Sequence, residues 1–349
     1  MRSRKFFISL CVGLVFFCTF LLLFCNRIPS PQNSITEPKW LQESSSDFAE
    51  RSRKAVSLLT PDLAWLGKLG KEELSTIPVN FPNCSRSVFL TILVTSAPDN
   101  FEQRNAIRSS WAKLHHSTKS KRFFTGLLGS YEPDDVVKTV FLLGRSSTNE
   151  VQALVNREME SFDDIVFGEF EDKYENLVYK TRLGFTWAYS SCQSAYVLKT
   201  DDDVFINLYQ FLRWIARSEE RNFYTGWCNY RSKVSRNKLS KWYVSLEDYS
   251  EDEFPPYCLG GGYLLSQDIL SHIIKPMYTK RVIHLEDIFI GVLINEFNIQ
   301  PINNRKGFNL LFSGNKKLCD FLHVFLVHPV KTSEILSMHL QADLARKIC

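Results

Sequence analysis

Three consecutive aspartates, Asp201, Asp202 and Asp203, sit in the stretch YVLKTDDDVFIN, directly after a run that reads as a buried strand. Side chains alternate along an extended backbone, so Asp201 and Asp203 face one way and Asp202 the other. Two like charges at the end of such a strand repel each other unless something positive lies between them. A divalent cation meets that need, because Mg2+ and Mn2+ take oxygen ligands. A solvated acidic turn is the competing explanation. His328, after the apolar VFLV, could complete the coordination of an ion held by Asp203, although a lone histidine there is more often structural.

Three further groups of residues have chemical potential. Arg104, Arg108 and Trp111 are spaced i, i+4 and i+7, so two guanidiniums on one helical face could hold a diphosphate or a uridine. An ordinary basic surface would look the same. In EDEFPPYCLGGGYLLS, the prolines stiffen the approach, Tyr257 suits a sugar face, and Gly260, Gly261 and Gly262 let backbone come close to a ligand. A glycine-rich turn without function is the alternative. In HLEDIFIGVLINEF, Glu286 and Asp287 open a helix. Asp287, with Glu286 as the alternate, could be a general base, but on spacing alone helix capping is favoured.

These residues need a frame. Ser87 to Pro98, VVKTVFLLG, DIVFGEF and AYVLKT read as strands, separated by helical stretches such as FEQRNAIRSSWAKL, TNEVQALVNREMESF and NLVYKTRLGFTWAYSSC. Alternation of this kind predicts an α/β sandwich with a mostly parallel central sheet, in which ligands sit beyond the carboxyl ends of the strands. The aspartates fall at such an end. The sequence has no G-x-G-x-x-G and no P-loop, which excludes those two modes of nucleotide binding.

The N-terminal stretch predicts a membrane anchor. Phe6 to Cys25 is 20 residues without a charge, preceded by Arg2, Arg4 and Lys5. That length spans a bilayer core of about 30 Å, and the basic flank keeps residues 1–5 in the cytoplasm. Residues 26–83, punctuated by proline and serine, read as a stem with one mixed patch, LAWLGKLG, able to form a short helix. Residues 84–349 then form one catalytic-size domain. Without the tail, 39 of the 42 basic residues face 38 acidic ones, and a nucleic-acid binder would need a concentrated basic surface instead. Six cysteines remain beyond the anchor: Cys84, Cys192, Cys228, Cys258, Cys319 and Cys349. An even number in an oxidising compartment predicts disulfides, with the pairing left open. Asn83 is a glycosylation sequon residue, weakened if Cys84 is bridged.

Taken in order, RNAIRSSW, DKYENLVYKT, KTDDDVFIN, FPPYCLGGGYLLS, EDIFIGVL and VHPVKTSEI resemble the β1,3-glycosyltransferase family over about residues 87 to 336. That resemblance implies a GT-A nucleotide-sugar fold and a type II Golgi membrane protein with a lumenal catalytic domain. It further implies inverting transfer of a hexose, most simply galactose, from a UDP-sugar to the 3-hydroxyl of a glycan on a glycolipid or glycoprotein. N-acetylglucosaminyl or N-acetylgalactosaminyl transfer is the alternative, as RSSWA and CLGGGY depart from the commonest family patterns. By the same resemblance the aspartates match the D-x-D motif that binds Mn2+ and the UDP-sugar, with Asp203 as direct ligand. Arg104 and Arg108 match nucleotide-facing arginines, Asp287 the catalytic base, and His328 a histidine near the metal. Two rivals come from other classes. An aspartyl phosphatase is disfavoured by Phe205 at the Thr/Val position of its motif, and an inactive carbohydrate-binding relative would not need every carboxylate present here.

Overall fold

The computed structural model describes residues 54–57, 59–84, 88–112, 128, 136–218, 221–310 and 317–349. The apolar stretch 6–25 lies outside them. Among the described residues no helix is long and apolar enough to cross a membrane.

LTILVT is apolar on both faces, and it forms a wholly buried strand, β1 (Leu90–Thr95). A strand of this kind must be covered on both sides, which is the condition for a parallel sheet carrying helices on each face. Three more strands share its direction: β2 (Val137–Arg145), β3 (Ile165–Glu171) and β4 (Tyr196–Asp201). β1 pairs in parallel with β2 on one side and β4 on the other. Helices α1 (Phe101–Arg108), α2 (Asn149–Ser161) and α3 (Leu177–Trp187) make the crossovers. The Thr148 hydroxyl caps α2 by accepting the Val151 N–H.

Beyond β4 come β5 (Phe205–Ile206), α4 (Leu208–Ile215) and β6 (Tyr224–Asn229). Next are the short pair β7 (Ser232–Lys233) and β8 (Glu253–Phe254), the long β9 (Tyr257–Ser266) and α5 (Gln267–Thr279). The chain closes with α6 (Glu286–Asn295), β10 (Ile302–Asn303), β11 (Phe308–Asn309), β12 (Leu326–Val327) and α7 (Thr332–Ile348).

Seven strands make the central sheet in the order β10-β6-β9-β4-β1-β2-β3. Only β9 runs against its neighbours β4 and β6, so the expected mostly parallel α/β architecture is the observed one. Because β2 and β3 lie to one side of β1 and β4 to the other, connections reverse direction between β1 and β4. Ligands of open α/β sheets bind outside the strand ends at such a point. Thr95 and Asp201 are register partners there.

Two apolar layers cover the sheet. One includes Leu93, Leu142, Trp187, Leu265, Phe289 and Ile294, and the other includes Ile92, Phe141, Trp111, Phe205, Phe308 and Leu326. Cys84–Cys192, Cys228–Cys258 and Cys319–Cys349 form disulfides, the second tying β6 to β9. Exposed Asn83 precedes the bridged Cys84, and its backbone N–H donates to the Asp163 carboxylate at 3.0 and 3.1 Å.

Part of the segment expected as a stem belongs to the fold. The patch predicted as a short helix is a 3-10 helix, Pro61–Lys68, and Leu63, Leu66 and Ile77 are buried in the first apolar layer. The Asn80 side chain completes the edge of β3, accepting from the Phe167 N–H at 2.7 Å and donating to Ile165 O at 2.5 Å. Polar, proline-punctuated composition hides these few apolar anchors, which gain their value only from the sheet they cover.

A chain beginning at residue 84 should therefore melt well below one beginning at residue 45, and Leu66→Ala in the longer chain should cost about 2–5 kcal/mol. Thermal unfolding of the three proteins checks this. Equal melting of the long and short chains would return residues 54–83 to the role of a spacer.

Candidate active site

A cleft of about 540 Å3 opens at the carboxyl ends of β1, β2 and β4. Its walls are Ser96–Asn100 after β1, Ser146–Thr148 after β2, Asp172–Tyr174 after β3, and Asp201–Asp203. All come from loops leaving parallel strands at one edge, where the fold places a ligand.

The alternation expected of the aspartates is present. Asp202 turns inward. It is buried, and its Oδ2 accepts hydrogen bonds from Ser96 Oγ at 2.6 Å and Asn100 Nδ2 at 2.8 Å. Burial raises its pKa against those two bonds. Asp202 thereby fixes the loop after β1 to the loop after β4.

Asp201 and Asp203 turn the other way, toward His328. One ligand atom from each of the three lies within 4.8 Å of the others. Strand pairing explains the meeting. Val327 is opposite Phe205 and Leu326 opposite Ile206, so His328 is carried to the start of β5, beside Asp203. The Val330 N–H donates to Asp203 O at 2.8 Å and the His328 N–H to Asn309 O at 3.0 Å, which fixes both backbones. His328 Nε2 is 3.4 Å from Asp203 Oδ1, while Nδ1 lies 3.2 Å from Leu310 O. Asp203 Oδ1 is buried and meets nothing closer than that long contact to His328 Nε2. Two carboxylates and an imidazole, one carboxylate oxygen left over, suit a divalent cation of the Mg2+ or Mn2+ type.

Lys199 connects this corner to the other half of the site. It lies on β4, 3% exposed, and its Nζ is 2.8 Å from Asp201 Oδ1 and 3.5 Å from Glu286 Oε2. It also donates to Gly260 O at 2.8 Å. Burial would lower its pKa, but the carboxylates of Asp201 and Glu286 outweigh that and raise it, so the ammonium stays charged.

Glu286 is buried. Its Oε1 accepts from Tyr263 OH at 2.6 Å and Thr181 Oγ1 at 2.9 Å. Asp287, next along α6, stays partly open to solvent. Its Oδ2 accepts the Gly260 N–H at 3.1 Å and its Oδ1 the Ile288 N–H at 2.9 Å. Burial, with the neighbouring charge of Glu286, pushes the Asp287 pKa up to about 6. Neither acid is the N-cap of α6, because Leu285 holds that position and no side chain caps there. The two carboxylates are thus in different situations, Glu286 saturated from inside and Asp287 poised and accessible.

The three glycines act by close approach. A Cβ on Gly260 would come within 3.4 Å of Glu286 Oε2, one on Gly261 within 3.3 Å of the His328 ring, and one on Gly262 would collide with Leu326. They let α6 and β12 settle on β9 from opposite faces, bringing Asp287 and His328 to one strand. Direct backbone contact with a ligand is not needed to explain them.

Comparison with known proteins agrees with this geometry. The galactosyltransferase family profile matches residues 102–305. Beta-1,3-galactosyltransferase 1 of Mus musculus and of Homo sapiens are each 32% identical over 267 residues, 74% of this chain and 75% of the relative. Beta-1,3-galactosyltransferase 5 of Mus musculus is 32% identical over 255 residues, 71% of this chain and 77% of that protein. The chain belongs to the galactosyltransferase family.

Within this galactosyltransferase frame three expected residues stand away from the cleft. Arg104 is 0% exposed and gives away every N–H. Its Nε and Nη2 bond Glu158, Nη1 bonds Ser96 Oγ at 3.0 Å and Ala97 O at 2.6 Å, and Nη2 also bonds Pro98 O at 3.0 Å. Arg108 pairs with Glu158 at 2.6 Å and with both Asp164 oxygens at 2.8 Å, its guanidinium 4.0 Å from the Phe162 ring centroid. Burial alone would raise the Glu158 pKa, but the two arginines hold it below its ordinary value. Arg104 has no N–H left for a phosphate, and Arg108 is turned to Glu158, Asp164 and Asn105. Tyr257 is 8% exposed, packed against Gly291 of α6, so it cannot offer a sugar its face.

Other residues of the site went unread in the sequence. Tyr174 lines the cleft and is 56% exposed. Partial burial, then the charges of Asp287 and Asp201, raise its phenol pKa, which places it between the two halves of the site. Lys180 Nζ pairs with Asp172 at 2.7 Å and donates to Ser96 O at 2.6 Å, while Asp172 accepts the Gly144 N–H at 2.7 Å. Both Tyr174 and Lys180 belong to DKYENLVYKT, and that motif was the available signal.

Arg104→Met should cost about 3–5 kcal/mol, since it strips a buried carboxylate and the Ser96–Pro98 carbonyls of their partner. Melting and UDP affinity measured on one preparation distinguish the roles. Weakened UDP binding with unchanged melting would put the guanidinium back on the nucleotide.

Proposed function

We propose that this chain is an inverting β1,3-galactosyltransferase, taking galactose from UDP-galactose and placing it on the 3-hydroxyl of a glycan acceptor. Galactose transfer follows from the family and from the names its relatives carry. N-acetylhexosamine as the transferred sugar is no better supported. The observation that carries the mechanism is the placement of Asp287. It is a partly exposed carboxylate whose pKa is raised to about 6, linked through Gly260 and Lys199 to the Asp201/Asp203/His328 corner.

In the reaction, Asp287 accepts the proton of the acceptor 3-hydroxyl as that oxygen attacks the anomeric carbon. The bond from that carbon to the UDP oxygen breaks on the opposite face, so the configuration inverts. Asp201, Asp203 and His328 would hold a divalent cation, for which we favour Mn2+, supplying positive charge to the departing diphosphate. Asp202 and the Ser96–Asn100 loop shape the nucleotide end of the cleft, and Lys180 and Asp172 brace that loop. Tyr174 offers its ring beside the sugar undergoing transfer. Lys199 holds Asp201 and the Gly260 carbonyl so that donor and base keep one spacing.

The apolar run 6–25 with its basic flank supports a type II anchor, and the three disulfides support an oxidising lumen, which together suit a Golgi enzyme. On this reading residues 1–5 face the cytoplasm and the folded unit faces the lumen.

Asp287→Asn keeps the shape and relieves the repulsion from Glu286, yet removes the proton acceptor. Transfer should fall at least about a hundredfold with UDP binding and melting nearly unchanged. The wild-type rate should fall as pH drops through about 6, because a base works only when unprotonated. Glu286→Gln should act instead through the Lys199 network, lowering melting as well as rate. An active Asp287→Asn enzyme would sink the assignment, and full activity in EDTA would sink the cation.

A further inference from the structure

The carboxyl edge of the sheet is not uniform in charge. Around β1, β2 and β4 it carries Asp99, Asp172, Asp201, Asp202 and Asp203. Across the site, β6 and β10 run parallel, so their carboxyl ends reach the same edge. There the chain presents Arg231, Arg305 and Lys306, all exposed. Among the described residues none of the three has a carboxylate partner. The lysines of the catalytic half, by contrast, are matched, Lys199 to Asp201 and Lys180 to Asp172.

Aromatic rings accompany these cations. Trp227 occupies the irregularity in β6 between Gly226 and Cys228, opposite the Leu259–Gly262 stretch of β9 that meets Asp287 and His328. The Arg305 guanidinium stands over its ring, 5.3 Å from the centroid. Tyr230 is 48% exposed and its OH is anchored on Pro301 O at 2.9 Å, which holds the ring in place beside β10. Cys228 N and Asn304 N bond across the same two strands, at 3.1 Å to Asn303 Oδ1 and 2.7 Å to Gly226 O, so the loop carrying Arg305 is fixed. The exposed Tyr230 ring suits the C–H face of a sugar, while Trp227, packed on the second apolar layer, backs the Arg305 guanidinium, whose N–H groups suit a carboxylate or sulfate.

We infer that the acceptor is an acidic glycan, bearing a carboxylate or sulfate near the sugar that receives galactose, and that Tyr230, Arg231 and Arg305, the last braced on Trp227, recognise it. This rests on the transferase reading above and assigns its acceptor class.

The test uses the folded lumenal chain from residue 45 with three matched oligosaccharides: one neutral, one sulfated and one carrying a uronate. Ligand-observed NMR reads binding, and UDP-galactose turnover reads transfer. The acidic oligosaccharides should bind more tightly than the neutral one, the preference shrinking as salt rises. Arg231→Ala and Arg305→Ala should each weaken acidic binding about three- to tenfold and leave neutral binding unchanged, because exposed arginines contribute little to folding. Whether sulfate or uronate binds better identifies the anion. Equal binding of all three, or equal loss for acidic and neutral ligands in the variants, overturns the acidic acceptor while leaving galactose transfer intact. Salt-sensitive, arginine-dependent binding without any transfer supports the recognition surface and fails the transferase reading instead.

Discussion

One buried ammonium holds the site together. Lys199 sits in the middle of β4, where a charge is costly unless opposed, and three oxygen-bearing groups oppose it: Asp201, Glu286 and the Gly260 carbonyl. Those groups come from three separate parts of the chain. Asp201 belongs to the cation corner, Glu286 to the helix of the base, and Gly260 to the strand whose N–H also bonds Asp287. Removing one partner would leave buried charge uncompensated, so the pieces are held in mutual register. Glu286 is consumed by this task, whereas its neighbour Asp287 keeps only two backbone N–H partners, consistent with the base role proposed for it.

A second charged knot does similar work on the other side of β1. Arg104, Arg108, Glu158 and Asp164 neutralise one another beneath the loop after β1, and Arg104 reaches up to Ser96, Ala97 and Pro98. The arginines therefore shape the loop after β1 that walls the cleft. Asp202 completes the device from above, through Ser96 and Asn100.

What could be read in the sequence divides along the same line. The strands, the helices between them and the alternation of Asp201 with Asp203 follow from local periodicity, and all are present. The ordered motifs gave the family. Partners were a different matter. Nothing local says that Glu158, some fifty residues downstream, absorbs Arg104, or that Gly291 presses on Tyr257, and both residues were assigned to ligands for want of that knowledge. Capping was the favoured local reading of Asp287, and the structure puts Leu285 at the cap instead. Likewise the anchors Leu63, Leu66 and Ile77 look like isolated apolar residues in a linker until the sheet they cover is in place. Periodicity reports what one segment does, whereas a salt bridge or a docking contact depends on two.

The charges of the cleft suit the cation proposed for it. The lysines around the aspartates are already answered: Lys180 by Asp172, Lys173 by Glu171 and Lys199 by Asp201. Arg104 has no N–H to spare, and Arg108 is divided between Glu158 and Asp164. A diphosphate entering this end of the cleft would meet carboxylates, with the nearby lysines paired and Arg104 and Arg108 turned to Glu158 and Asp164. Meanwhile Asp203 Oδ1 is buried, with only His328 Nε2 facing it at 3.4 Å. The site is short of positive charge toward the ligand, and it carries an unsatisfied acceptor toward the protein. A divalent ion held by Asp201, Asp203 and His328 would correct both at one point, whereas a further lysine there would need its own carboxylate and leave the diphosphate where it began.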